Sequence, residues 1–392
     1  MTATSPDVVI VGGGGVGSAI AYFLMRLAQP GLRVVVYERD PTYSQASTTL
    51  AAGGIRQQFS TPENVLMSQF GFAFMSEAAE TLAIGTDAPA IGLQPLSYLR
   101  LAAEADVETI EAQVEMQRSL GARPRRLDRD DLRRLYPWMQ VDDVAMAVLG
   151  GEDEGLFDPY GLLQGLRRKA IDLGAAFEVA EVVSVERDAG GQVTSVSLAD
   201  GRRTTCGLVV NAAGPRAAAV AALASIALPV TPIKAQTFAF RTQEPLPGCP
   251  IVLDHVQALQ FKPEGAMFVA ARPTDAGEAA ASDFEVDHAL FDESVWPALA
   301  HRSAAFEAIK LMRGWAGHIE WNTFDGNPVL GPAPECPNFI FANGFSGHGA
   351  QHLPAAGRAI AELILTGGYR TLDLSRFGYG RLLTGERVPE TV

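Results

Sequence analysis

The residues best able to do chemistry fall into three groups set far apart in the chain. Near the start, Gly12-x-Gly14-x-x-Gly17 follows the apolar run Val8 to Val11, and Glu38 stands 21 residues beyond Gly17 at the end of a second apolar run. Glycines at that spacing suit a pyrophosphate. Gly12 permits the tight turn, Gly14 lets backbone approach the phosphates, and Gly17 lets helix and strand pack closely. Gly15 and Val16 lead into a helix whose free N–H groups and positive dipole end favour an anion. Glu38 can accept both hydroxyls of an adenosine ribose and disfavours the extra phosphate of NADP. Near the other end, Gly344-Phe345-Ser346-Gly347-His348-Gly349 opens a second helix. A helix N-terminus there can stabilise the negative charge that develops on a reduced flavin, a need that nicotinamide enzymes lack. The dinucleotide is therefore read as FAD. The third group is scattered: Arg56, His348, His318 and Glu320 are the candidate catalytic side chains. Their plainer alternatives are a surface ion pair for Arg56, a backbone hydrogen bond for His348 and a solvated strand-end carboxylate for Glu320.

These groups need elements to hold them. Val8 to Val11 reads as a parallel strand buried on both faces, Ser18 to Leu27 as a helix, and Leu32 to Tyr37 as a second buried strand. Pro62 to Leu82 reads as a long helix, with Pro62-Glu63 in its first turn. Tyr160 to Leu173 follows an Asp158 cap. Ala176 to Arg187 and Val193 to Leu198 read as a hairpin through Gly190-Gly191. Leu208 to Asn211 and Phe339 to Ala342 are further buried strands, and Gln351 to Leu365 is a helix stopped by Gly367-Gly368. Short strands at Leu96 to Leu101 and Val144 to Leu149, with others between Pro229 and Trp315, form a β-rich remainder. The expected organisation is a discontinuous dinucleotide module (1–84, 150–226 and 322–392) with a substrate module (85–149 and 227–321) inserted twice.

Composition narrows the partners. The chain has 392 residues, is 47% hydrophobic, and carries a net charge of −14 with its basic residues scattered, so a nucleic-acid partner is not expected. Cys206, Cys249 and Cys336 are far apart, without metal-ligand spacing, and read as buried filler in a reducing compartment. No basic leader and no apolar stretch of membrane-spanning length is read, so a cytoplasmic protein outside the membrane is expected.

With both ends in place, the sequence resembles the D-amino-acid-oxidase-like superfamily of FAD enzymes, over essentially its whole length. That group includes sarcosine, dimethylglycine, glycine and L-proline oxidoreductases. Within it the nearest likeness is to bacterial relatives of the FAD-dependent oxidoreductase domain-containing proteins linked to mitochondrial complex I assembly. The stretches that carry the likeness are Tyr43-Ser44-Gln45-Ala46-Ser47-Thr48, Gly53-Gly54-Ile55-Arg56-Gln57-Gln58-Phe59, Glu152-Asp153-Glu154-Gly155, Leu163-Gln164-Gly165-Leu166-Arg167-Arg168-Lys169, Trp315-Ala316-Gly317 and Asn322-Thr323-Phe324-Asp325. The resemblance implies a mixed α/β fold, a Rossmann-like FAD-binding domain with an inserted antiparallel-sheet substrate domain. It implies that Ser47 and Thr48 contact the pyrophosphate and that Ala52, Gly53, Gly54 and Ile55 run beside the flavin ring. Val182 would hold adenine through its backbone, and Ala213 and Gly214 would pack on the cofactor. Arg39, Gly344, Gly347, His348, Gly349 and Gln351 complete the expected cofactor set.

The family reaction is oxidation of an amine C–N bond by hydride transfer to the flavin. Four departures bear on it. The cysteine that holds flavin covalently in monomeric sarcosine oxidases falls near His318, so non-covalent FAD is expected. Their substrate-carboxylate lysine falls on Gln351, one of their carboxylate arginines near Phe59, and no lysine stands near Met267 or Phe268, where their oxygen-activating lysine belongs. The expectation is a dehydrogenase acting on a secondary amine or N-substituted amino acid and passing electrons to an unidentified acceptor. The rivals are an oxygen-using oxidase, an FAD-stabilised assembly factor with little turnover, and an NADPH-dependent hydroxylase, the last without a second nucleotide fingerprint. Glu152 to Glu154 reads as a solvated acidic loop, Trp315 and Trp321 as core or pocket wall, and Asp325 and Asn327 as turn formers.

Overall fold

A computed structural model of the chain describes residues 7–272 and 280–391, so the ends of the expected first and last segments and residues 273–279 lie outside the description. A six-stranded sheet forms the centre of one layer, in the order Val329–Ala333, Cys336–Asn343, Leu208–Asn211, Val8–Val11, Val34–Glu38, Ala176–Val179. All pairings are parallel except the first. Val8–Val11 is buried throughout because neighbours cover both faces. The helix Gly15–Leu27 packs against Pro159–Asp172 and Gly349–Thr366, so most of its residues are apolar and buried. The crossing with Gly349–Thr366 is close. A Cβ at Gly357 would stand 2.6 Å from that of Ala19.

An eight-stranded sheet forms the second layer, in the order Ile309–Asn322, Val230–Thr242, Met267–Ala271, Leu259–Glu264, Ile251–Asp254, Tyr98–Ala102, Met146–Leu149, Arg125–Leu127. Side chains alternate across it. Leu99, Leu101, Val252, Phe261, Phe238 and Phe268 point into one apolar core with Phe291, Leu299 and Phe306. Tyr98, Arg100, Lys262 and Trp315 take the opposite parity, and this face meets the dinucleotide layer. The Trp315 indole donates to the Leu50 carbonyl at 3.1 Å, and a Cβ at Gly54 would stand 1.7 Å from the Tyr98 hydroxyl. The two longest strands, Val230–Thr242 and Ile309–Asn322, stay paired from Val230↔Asn322 to Thr242↔Ile309 and physically join the layers.

The structure corrects several expected elements. Ala176 to Arg187 is two strands in different sheets: Ala176–Val179 closes the parallel sheet, and Val182–Arg187 starts a three-stranded sheet with Val193–Leu198 and Arg203–Thr205. Val329–Ala333, not anticipated, folds back on Cys336–Asn343 as an antiparallel edge. Ile251–Asp254 pairs parallel with Tyr98–Ala102 inside an otherwise antiparallel sheet, because the two strands come from distant segments and no short turn dictates their sense. The helix from Pro62 ends at Ser76, with a separate turn at Ala78–Thr81.

Asp325 and Asn327 do more than shape a turn. The Asp325 carboxylate receives a bidentate pair from Arg381, Nε at 2.7 Å and Nη2 at 3.0 Å, with both side chains buried. Asn327 bonds Asn64, Thr61 and the Val388 carbonyl. Together they tie the C-terminal segment to the Pro62–Ser76 helix. Asp325→Ala strands a buried guanidinium and should cost about 3–5 kcal/mol, read as a lower urea midpoint at unchanged slope. A midpoint equal to wild type would show that the pair is not structural.

Candidate functional site

The first glycine turn has the backbone that its sequence requires. Gly12 has φ +99°, and a Cβ there would stand 2.5 Å from the Ala212 carbonyl oxygen. A Cβ at Gly17 would come within 1.9 Å of the Gly12 oxygen, whereas one at Gly14 would meet nothing within 4 Å. Two of these glycines are thus demanded by packing. The third faces open space. That space is a cleft between the glycine turn and the end of the second strand. Gly14, Gly15 and Val16 line it together with Glu38, Arg39, Ser47, Thr48, Val182, Ala213, Gly214, His318 and Glu320. The Gly15–Leu27 helix has no acidic residue in its first turn and no side-chain cap, so its N-terminal dipole faces the cleft unneutralised. Glu38 is fixed by two backbone donors, Gly13 N at 2.7 Å and Asp40 N at 2.8 Å, one on each oxygen. Each oxygen keeps a lone pair for a diol. Arg39 sits at the mouth, 3.8 Å from Glu181. The Ser47 hydroxyl donates to the His318 carbonyl at 2.6 Å, and Thr48 Oγ1 accepts from Gly15 N at 3.2 Å. An open glycine, a helix start without an acidic residue and a fixed carboxylate at the strand end fit a dinucleotide.

The second turn is built on positive φ at Gly344 (+78°), Ser346 (+49°) and Gly347 (+95°). Here Glu320 proves to be a structural partner. Its Oε2 accepts from Gly344 N at 3.1 Å, and the Phe345 N–H also favours its charged form. Burial outweighs these donors and pushes the carboxyl up to about 7. Glu320 is therefore not the solvated strand-end group that was the plain alternative. His318 is buried, edge-on to Phe284 at 4.7 Å between ring centroids, and burial holds its imidazole below the usual value. His318 and Glu320 belong to the wall of the dinucleotide cleft.

Arg56 and His348 come together elsewhere. The Arg56 Nη2 lies 3.1 Å from His348 Nε2. A guanidinium can only donate, so His348 accepts through Nε2 and its proton sits on Nδ1. Arg56 Nη1 donates to the Gln58 carbonyl at 2.5 Å, and the guanidinium lies over the Phe59 ring at 4.4 Å. Arg56 is buried and not at the surface, and burial lowers its pKa. Gln351 accepts from the Arg56 backbone N–H at 2.8 Å, so it secures the loop that carries Arg56. Within that loop, Ala52, Gly53, Gly54 and Ile55 are not part of the dinucleotide cleft wall. The Ile55 side chain is fully buried in the core, and Gly54–Ile55 pairs with Gly155–Leu156.

The expectation of a solvated acidic loop fails at one residue. Glu152 is exposed, but Glu154 turns inward and accepts from Gln57 N and Tyr98 N, each at 2.9 Å. It thereby joins the Arg56 loop to the Tyr98–Ala102 strand, and burial pushes its carboxyl up to about 7. Tyr98, Arg100 and Lys262 were also missed. The signal was strand alternation: Leu99 and Leu101 face the apolar core, so Tyr98 and Arg100 cannot. Trp315 is a wall between layers as expected, whereas Trp321 is exposed. All three cysteines are buried, and none lines the cleft. Among the described residues no helix is long and apolar enough to cross a membrane.

Two measurements check this geometry. Gly14→Ala should fold normally yet lose bound FAD by absorbance, because its methyl group would intrude on the ligand alone, while Gly17→Ala should lose both FAD and stability. Normal FAD content in Gly14→Ala would refute the placement. Glu154 binds its proton near pH 7 when folded but near 4.5 when unfolded, so its contribution to stability falls as pH rises across that window. Glu154→Gln should accordingly gain on the wild type between about pH 5 and about pH 8 in thermal melts. A constant gap would mean that the carboxylate does not titrate there.

Comparison with known proteins agrees with the site. Residues 7–363 match the family described as DAO, FAD dependent oxidoreductase. The chain is 41% identical to FAD-dependent oxidoreductase domain-containing protein 1 of Xenopus laevis, covering 98% of this chain and 84% of that protein. It is 28% identical to glycine oxidase of Geobacillus kaustophilus, over 91% and 92% of the two chains. The structure superposes on L-proline dehydrogenase from P. horikoshii with TM-score 0.86 at 26% identity, covering 98% and 99% of the chains. A cleft shaped for a dinucleotide, a family match over most of the chain and a relative at 41% identity all agree: the protein belongs to the DAO family of FAD-dependent oxidoreductases.

Proposed function

We propose that the protein oxidises the C–N bond of a secondary amine or N-substituted amino acid, as a dehydrogenase. The observation that carries this reading is the pair of buried Arg56 with half-buried His348, held at the junction of the dinucleotide layer and the inner face of the eight-stranded sheet. Relatives named glycine oxidase, sarcosine oxidase subunit beta and L-proline dehydrogenase support an amine or amino-acid substrate. In this reading the segments 1–84, 150–226 and 322–392 hold the cofactor, and 85–149 with 227–321 shape the substrate cavity.

FAD, when bound, supplies the two-electron acceptor for the hydride that leaves the carbon beside nitrogen. The chain's own residues bind and orient. Arg56, stripped of most of its water and fixed by Gln58, Gln351 and Phe59, offers a preorganised cation to a substrate carboxylate. His348, neutral with its lone pair turned to Arg56, fixes the guanidinium without adding charge. Glu154 holds the loop and tempers the local positive field. Tyr98 closes the cavity over Gly54, which excludes water from the reacting end.

One observation favours oxygen as acceptor. Lys262, buried, ion-paired with Glu264 and opposite Val269, shares the inner face of the sheet with Tyr98, whereas Phe268 points into the apolar core. A buried cation near a flavin would favour reduced oxygen species. The deciding experiment is anaerobic titration of the yellow protein with amines and amino acids, followed by peroxide assay in air. Bleaching of the flavin band by N-substituted amino acids without peroxide is expected. Stoichiometric peroxide would favour the oxidase, and no bleaching by any amine would favour an assembly factor. Arg56→Met should weaken half-saturation for carboxylate-bearing substrates by about 100-fold; an unchanged value would remove Arg56 from the site.

A further inference from the structure

Arg100 is a buried cation for which the protein provides only a neutral partner. It is 5% exposed, and its Nη1 donates to Gln113 Oε1 at 2.7 Å. Its Nε has no hydrogen-bond partner, and among the described residues no carboxylate forms an ion pair with it. The carboxylates whose fields reach it are engaged elsewhere or distant: Glu390 accepts from Ser60 N, Thr61 N and Asn64 Nδ2. Burying a guanidinium in this way costs several kcal/mol unless an anion completes it. Burial and the neighbouring Arg56 charge together pull its pKa down to about 10, which reports how little the fold does to neutralise it.

Its position suits a ligand. Arg100 shares a strand face with Tyr98, the residue that packs on Gly54, and lies about 7 Å farther along the strand. Its cross-strand neighbours are Val148, buried, and Leu253, half-buried; beyond Leu253, Gln260 is half-buried and His255 is exposed, so this row of the inner face opens towards solvent on the Leu253 side. Resting on the reading of Arg56 as a carboxylate anchor, we propose that Arg100 is a second anion subsite, and that the substrate is an amino acid bearing a second carboxylate, on its side chain or N-substituent. One carboxylate would sit on Arg56 and the other on Arg100 Nε and its free N–H edge, with the reacting nitrogen between them. A structural arginine would instead have both edges of its fork filled by protein, as Arg381 has.

The test uses the FAD-loaded protein and unreactive ligands, glutarate against butyrate, which has the same three-carbon tail without the second carboxylate, with binding read from the perturbed flavin spectrum. Glutarate is expected to bind at least about tenfold tighter than butyrate. R100M should bring that ratio close to unity, and R100K should retain most of it. Butyrate binding with no advantage for glutarate overturns the second subsite and leaves the Arg56 reading intact. A wild-type preference that survives in R100M also overturns it. If neither acid perturbs the flavin and Arg56→Met changes nothing, both readings fall. A wild-type ratio near unity overturns the proposal without any variant, so a misfolded variant would not rescue it.

Discussion

One buried carboxylate holds the candidate site together. Glu154 accepts the backbone N–H of Gln57 from one layer and that of Tyr98 from the other, each at 2.9 Å. Gln57 adjoins Arg56 and Tyr98 stands two residues before Arg100 on the same strand face, so both guanidiniums are carried by segments fixed at this junction. The pair of donors cannot be replaced by water, because Glu154 is almost wholly enclosed. An unpaired backbone N–H in that position would cost as much as a lost hydrogen bond on either side. The constraint also explains why Gly54 lacks a side chain: the Tyr98 ring occupies the space into which a Cβ would project.

The electrostatics follow from the same enclosure. Burial drives Glu154 and Glu320 up to about 7 and lowers Arg56 and His318. Every one of these shifts disfavours charge, and only Arg56 among them stays fully ionised near neutrality, because a guanidinium starts so high. The result is an enclosed region of fixed positive character around Arg56, beside a dinucleotide cleft whose wall includes Glu38, Arg39 and Glu320. In a low-dielectric space such a field acts over several ångströms without screening by salt. Glu320 carries a second task, since its carboxylate satisfies the Gly344 turn and thereby shapes the start of the Gly349–Thr366 helix.

Much of the first layer was legible in the chain. The Gly12 to Gly17 turn, the two buried strands around it and Glu38 depend on local backbone chemistry, and each appears where its pattern placed it. The hairpin at Gly190-Gly191 and the helix after Gly349 follow the same rule. The failures share a cause. Ala176 to Arg187 looked like one strand because nothing local marks the change of sheet at Ala180. Glu154 looked solvated because the two residues before it, Glu152 and Asp153, are acidic, although the residue itself turns inward. Asp325 read as a turn former because its buried partner, Arg381, lies far along the chain.

The sequence by itself determined the glycine turn, the acid at the end of the second strand and the alternation that separates the two faces of strands such as Tyr98–Ala102, since all three depend on neighbours within a few residues. Only the tertiary structure decided that Arg56 meets His348 while His318 and Glu320 stand in a different wall. It also decided that Glu154 is buried and that Arg100 looks inward without a carboxylate partner. Those facts depend on which distant segments share a sheet, and the parallel pairing of Ile251–Asp254 with Tyr98–Ala102 is a contact that no local periodicity encodes. Long-range register, set by burying two layers against each other, chose the site's charge and its partners.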